Sequence, residues 1–168
     1  VSDESDNKQA DNKQADNRGR GQNSALRQRS YARRLAMQAL YQWLLTDDRW
    51  QTIRDQFHES EEFARADADY FDAIFSHVCE HRDELLAELS EHFDRPIEQL
   101  DPVEQAILLT GVYELQHHIE IPYRVVLNEA VELARRFGAS EGHRFVNALL
   151  DKVAAKFRAV EIKARKQS

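Results

Sequence analysis

The sequence predicts an all-α domain of about seven helices joined by short loops. Three observations carry this expectation. Five glycines and three prolines in 168 residues supply too few turns for an all-β fold, and too few glycine-rich strand-to-helix turns for a doubly wound α/β fold. From Ala32 onward, apolar residues return at the three- and four-residue spacing of helix faces. Where that rhythm breaks, helix caps stand in its place, above all at Asp101-Pro102.

Residues 1–25 are expected to be a disordered tail. They hold a tandem pentapeptide, Asp6-Asn-Lys-Gln-Ala10 followed by Asp11-Asn-Lys-Gln-Ala15, and no apolar residue larger than alanine lies between Val1 and Leu26. Such a segment has nothing to bury against the entropy of ordering. The folded domain is expected to span 26–160, with 161–168 as a flexible C-terminus.

The first helix runs from Arg27 to Thr46, with Ala32, Leu35, Ala36, Ala39, Leu40 and Trp43 on one face. Asp47 and Asp48 end it. A second covers Trp50 to Phe63 and turns Ile53, Phe57 and Phe63 inward. Asp67 or Asp69 caps a third through Tyr70, Phe71, Ile74, Phe75 and Val78. The fourth, Arg82 to His92, presents Leu85, Leu86 and Leu89, with Phe93 just beyond. In the fifth, Asp101 is the N-cap, Pro102 occupies N1, and Glu104 at N3 is placed for a capping box. Its run from Ala106 to Tyr113 is apolar nearly all round, which marks it as the central helix. Pro122 opens the sixth, with Val126, Ala130, Leu133, Ala134 and Phe137 inward and Gly138 at its C-terminal end. Ser140 is placed to cap the last, whose core positions are Phe145, Leu149, Val153 and Phe157.

Charge is distributed unevenly. The chain carries −7 overall, yet no acidic residue lies between Asp16 and Asp47, where arginine appears six times and lysine never. A basic window in an acidic chain points to a polyanionic partner. Arginine's planar fork suits phosphates and stacks on unpaired bases. Arg29 and Arg33 are four apart and share a helix side, while Arg34 points about 100° away. Without an apolar leader or an apolar run of membrane-spanning length, the expected location is the cytoplasm, where the single Cys79 stays reduced.

No glycine-rich phosphate loop, nucleophile elbow or paired-cysteine motif is present. His77-Val-Cys-Glu80-His81 fits the H-x-x-E-H pattern, which leaves a zinc metalloenzyme on His77 and His81 as one alternative. A helical protein–protein adaptor, its arginines aimed at an acidic partner, is another.

Four segments carry a resemblance. Ala32-Arg33-Arg34-Leu-Ala-Met-Gln-Ala-Leu-Tyr41, Glu104 to Leu115, Ile121 to Gly138 and Ser140 to Lys152 resemble the NusB family of bacterial transcription antitermination factors. The resemblance implies two three-helix bundles sharing a long central helix, and no catalysis, cofactor or metal. It implies binding of the boxA RNA of ribosomal RNA leader transcripts, together with the ribosomal small-subunit protein NusE, within the RNA polymerase antitermination complex. The RNA-binding residues it implies are Arg27, Arg29, Tyr31, Arg33 and Arg34, with Arg29 and Arg33 foremost, and Glu141, Arg144 and Phe145 at the edge. Tyr41 and Glu104 match positions at the NusE interface. The chain departs from the family's habit at Leu109, where an arginine is common.

Overall fold

The computed structural model describes residues 3–167, and side chains from residue 13 onward. Among them are eight α-helices and two short 3₁₀ turns. The helices are α1 (Asp3–Leu45), α2 (Trp50–Glu59), α3 (Ala68–Glu80), α4 (Arg82–Ser90), α5 (Pro102–His117), α6 (Tyr123–Phe137), α7 (Gly142–Phe157) and α8 (Ala159–Lys166). The 3₁₀ turns, Glu61–Arg65 and Ile97–Gln99, follow α2 and α4.

Helix α5 is the axis of the molecule. Every residue from Glu104 to Leu115 is buried, as its apolar run requires. On one side it packs against α1 and α3, on the other against α6 and α7, so two three-helix bundles share it. The approach of α5 to α7 depends on Gly111. A Cβ there would stand 2.7 Å from Leu150 Cδ1 and 2.9 Å from its Cδ2, so the fully buried leucine would have to shift. Leu109 is fully buried among this apolar set.

The N-terminal caps follow the chemistry of short acidic side chains. Asp67, rather than Asp69, accepts from Tyr70 N at 3.1 Å to start α3, and Asp101 accepts from Val103 N at 2.8 Å to start α5. The Glu104 side chain makes no hydrogen bond among the described residues, so the capping box does not form; its carboxylate lies against Gly142 at the start of α7. Ser140 is not the cap of α7, because the helix opens one residue later, with Glu141 at the N-cap and Gly142 first inside. Gly138 does end α6, donating to Ala134 O at 2.8 Å, but its φ of −92° is ordinary for any residue.

Both ends of the described chain are helical. The tail of residues 1–25 runs as a helical extension of α1 from Asp3, with Val1, Ser2 and the side chains of the first pentapeptide outside the described residues. From Lys13 to Gln28 every residue is exposed, so this extension is supported by local terms such as the Arg20–Asp16 pair at 3.0 Å and by no packing. At the other end, the boundary at residue 160 cuts through α8, which is anchored. Arg158, 2% exposed, donates to the carbonyls of Glu114, Leu115, His118 and Ile121 over 2.8–3.2 Å. It thereby satisfies the open C-terminal end of α5. Glu161 completes the clasp, taking Arg158 Nη1 at 2.7 Å and Tyr123 N, at the start of α6, at 2.9 Å.

Candidate nucleic-acid interface

Helix α1 delivers its arginines to two opposite sides. At 100° per residue, Arg27, Tyr31 and Arg34 fall within one narrow stripe, and Arg29 and Arg33 fall nearly opposite.

The first stripe faces α6 across a cleft of about 720 Å³. Arg27, Tyr31 and Arg34 form one wall, Glu129, Glu132, Arg135 and Arg136 the other, and Arg65 of the first 3₁₀ turn closes an end. Arg34 stands between two rings, 5.6 Å from the Tyr31 centroid and 5.3 Å from that of Phe137. Arg65 lies 4.7 Å over Tyr31 and Arg136 lies 5.5 Å over Phe137. Arg27, Arg34, Arg65 and Arg136 form no ion pair among the described residues, and Arg34 Nε is buried without a hydrogen-bond partner. Arg135 pairs with Glu132 at 3.1 Å, and Glu129 is held by Ser30 at 2.9 Å. The cleft therefore presents guanidinium groups positioned by aromatic faces, with their donors still to be used.

On the opposite stripe Arg29 is half-buried and Arg33 is sealed. Arg33 is 3% exposed, and its Nε lies 2.9 and 2.8 Å from the two Glu114 oxygens. Glu129 Oε1 stands 3.6 Å from its Nη1. Burial, the largest single effect, lowers the Arg33 pKa, but Glu114, Tyr70 and Glu129 together outweigh it and the net shift is upward. Tyr70 donates to Glu114 Oε2 at 2.5 Å, and its hydroxyl pKa is raised by burial and then by the Glu114 charge. Arg29 lies over the Tyr70 ring at 5.2 Å. Arg33, expected with Arg29 to lead the RNA contact, thus lies in the core with its guanidinium engaged by Glu114. An acidic residue in an otherwise apolar helix must be neutralised, and Arg33 does that for Glu114.

The remaining expected site residues fall elsewhere. Glu104, 8% exposed, sits beside Gly142, so the start of α5 meets the start of α7. Its pKa is raised by burial and by the nearby Asp101. Glu141 and Arg144 are exposed and pair with each other at 3.3 Å. Phe145 is half-buried, edge-on to Phe93 at 5.3 Å, on the wall of a hollow of about 350 Å³ that Arg95 and Lys152 also line. Tyr41 is exposed on α1. Two features of the cleft escaped the sequence reading, Arg65 and the Arg135-Arg136 pair, while Phe137, expected inward on the sixth helix, is the ring that Arg34 and Arg136 lie over. The visible signal was the Arg135-Arg136 pair at the polar edge of an amphipathic helix.

The family model for NusB matches residues 30–155. The transcription antitermination protein NusB of Ralstonia nicotianae is 46% identical over 138 residues, covering 82% of this chain and 89% of that protein. Its counterpart in Paraburkholderia phymatum is 48% identical over 141 residues, covering 83% and 97%. The chain belongs to the NusB family. Solved NusB structures share the fold. A Thermotoga form (T. maritima NusB) superposes with a TM-score of 0.62 at 24% identity, covering 74% of this chain and 89% of that one. A NusB crystallised with NusE and dsRNA gives 0.63 at 22% identity, covering 77% and 96%. The NusB match begins at residue 30 and ends at 155, so it leaves out both Arg27 and the Arg158 clasp.

Proposed function

We propose that this chain is a transcription antitermination factor that binds the boxA RNA of ribosomal RNA leaders jointly with NusE, as a scaffold and without catalysis. The observation that carries the reading is the α1–α6 cleft, where four arginines without carboxylate partners alternate with Tyr31 and Phe137. The relatives at 46–48% identity are named transcription antitermination proteins, and one solved NusB lies in complex with NusE and dsRNA.

The geometry suggests a division of labour. Guanidinium forks of Arg27, Arg34, Arg65 and Arg136 take phosphate oxygens, and the rings that hold them offer faces for unpaired bases. Arg34 is fixed between two rings before RNA arrives, so little side-chain entropy is lost on binding. Glu129 and Glu132 on the far wall limit how many phosphates the cleft accepts. Around Glu104, Glu141, Arg144 and Phe145, the meeting of α5 and α7 forms a second surface, which serves the RNA edge and, with Tyr41, NusE. Joint binding obliges each partner to raise the other's affinity by the same factor. The site of action is the RNA polymerase antitermination complex in the cytoplasm; among the described residues no helix is long and apolar enough to cross a membrane.

The test is fluorescence anisotropy with boxA RNA, with and without NusE, over a salt series. Arg34→Ala and Arg136→Ala each weaken binding and lower the salt slope by about 0.7 per lost phosphate contact. Equal affinity in wild type and both variants would remove the cleft from the RNA site.

A further inference from the structure

We propose that Glu129 is a base-reading residue, whose carboxylate accepts a hydrogen bond from the exocyclic amine of one unpaired RNA base. This role rests on the α1–α6 cleft being the RNA site, and it accounts for a fixed acid in a cleft otherwise lined by arginines. A carboxylate repels phosphate, so what it takes from an RNA chain is a donor. Adenine, cytosine and guanine each carry an amine on the edge, and uracil carries none.

Glu129 is set in place before a ligand arrives. Ser30 Oγ, on α1, donates to its Oε2 at 2.9 Å, and Arg33 Nη1 stands 3.6 Å from its Oε1. The longer distance is beyond a hydrogen bond. Among the described residues the carboxylate has therefore spent one of its roughly four acceptor sites. The side chain is 29% exposed, and it lines the cleft together with Ser30, Tyr31 and Arg34. Tyr31 and the guanidinium groups around it give a base planar faces to stack on, which turns the base edge toward α6.

Glu132, on the same wall, supplies the contrast. Its side chain is 70% exposed, and Arg135 already holds its carboxylate at 3.1 Å. Water readily replaces any partner that such a group lacks, so it discriminates little. Glu129 is largely covered and pre-placed, and it loses more when the base brings no donor.

The experiment is fluorescence anisotropy of the full chain with NusE and a set of boxA RNAs. In each RNA one base is replaced by its analogue without the exocyclic amine: purine for adenine, 2-pyrimidinone for cytosine, hypoxanthine for guanine. Wild type should lose at least about fivefold in affinity at one position, and Glu129→Ala should show no loss there. Uridine at that position should bind Glu129→Gln more tightly than wild type, because an amide can donate where a carboxylate cannot. A purely structural Glu129 does not produce that gain, and the near-isosteric glutamine preserves the shape of the site. The inference is overturned if both Glu129 variants keep the wild-type pattern, or if the sensitivity follows Glu132→Ala or a 2′-deoxy substitution instead. RNA binding without any amine-sensitive position overturns it and leaves the cleft as the RNA site. Failure of wild type to bind boxA RNA overturns both.

Discussion

On the α3–α5 side of α1, Arg33 is enclosed with Glu114 and Tyr70; on the α6 side, its neighbour Arg34 is set between two rings and forms no ion pair among the described residues. The two residues share a charge, a helix and adjacent positions. What differs is the surface each faces. Arg33 meets a buried acid that would otherwise be uncompensated, and its donors are used in holding the bundles together. Arg34 meets aromatic faces, which orient a guanidinium without consuming its hydrogen bonds. In a basic segment, the direction of the side chain separates an arginine spent on the fold from one whose donors are left for a ligand.

The comparison can be broken by substitution, and the largest effect is expected on the buried side. Arg33→Ala leaves Glu114 buried and unpaired and should cost about 3–5 kcal/mol of stability, read by urea denaturation. Tyr70→Phe removes one charge-assisted hydrogen bond to the same carboxylate and should cost about 1.5–3 kcal/mol. On the cleft side, Arg34→Ala should cost under about 1 kcal/mol of stability while weakening RNA binding. If Arg34→Ala destabilised as much as Arg33→Ala, the distinction between the two sides would fail.

Glu104 sharpens the contrast from the other end of α5, as a buried carboxylate with no ion pair among the described residues. Its folded-state pKa is raised, so the native state prefers the protonated form. The sign follows from linkage: the preference stabilises the fold below the ordinary carboxylate range and is lost as pH rises through the raised folded value. Glu104→Gln should therefore gain stability relative to wild type on going from mildly acidic to neutral pH, a small effect measured by denaturation at both. Equal pH dependence in the two proteins would show that Glu104 is solvated in solution.

Much of the fold was legible because its signals are local. The apolar run of α5, the Asp101-Pro102 start, the Pro122 start and the end at Gly138 each reside within a few residues. The direction of the arginines was not, because Arg33 and Glu114 are 81 residues apart and only packing brings them together. Glu114 did carry a hint, since an acid on an apolar helix demands a cation from somewhere. Arg158 gave none: it sits in a polar C-terminal stretch, and its partners are four carbonyls that have no sequence signature. Likewise Arg65, Arg135 and Arg136 lie outside the basic window and join Arg34 only in three dimensions.

The Arg158 clasp also sets an order of events during synthesis. The last carbonyls of α5 are made some forty residues before the side chain that satisfies them, and Glu161 follows later still. Until those residues leave the ribosome, the central helix has an open end and α6 an uncapped start. The shared core of the two bundles gains this lock only once Arg158 and Glu161 have emerged, so until then the nascent helices lack the contact that ties them.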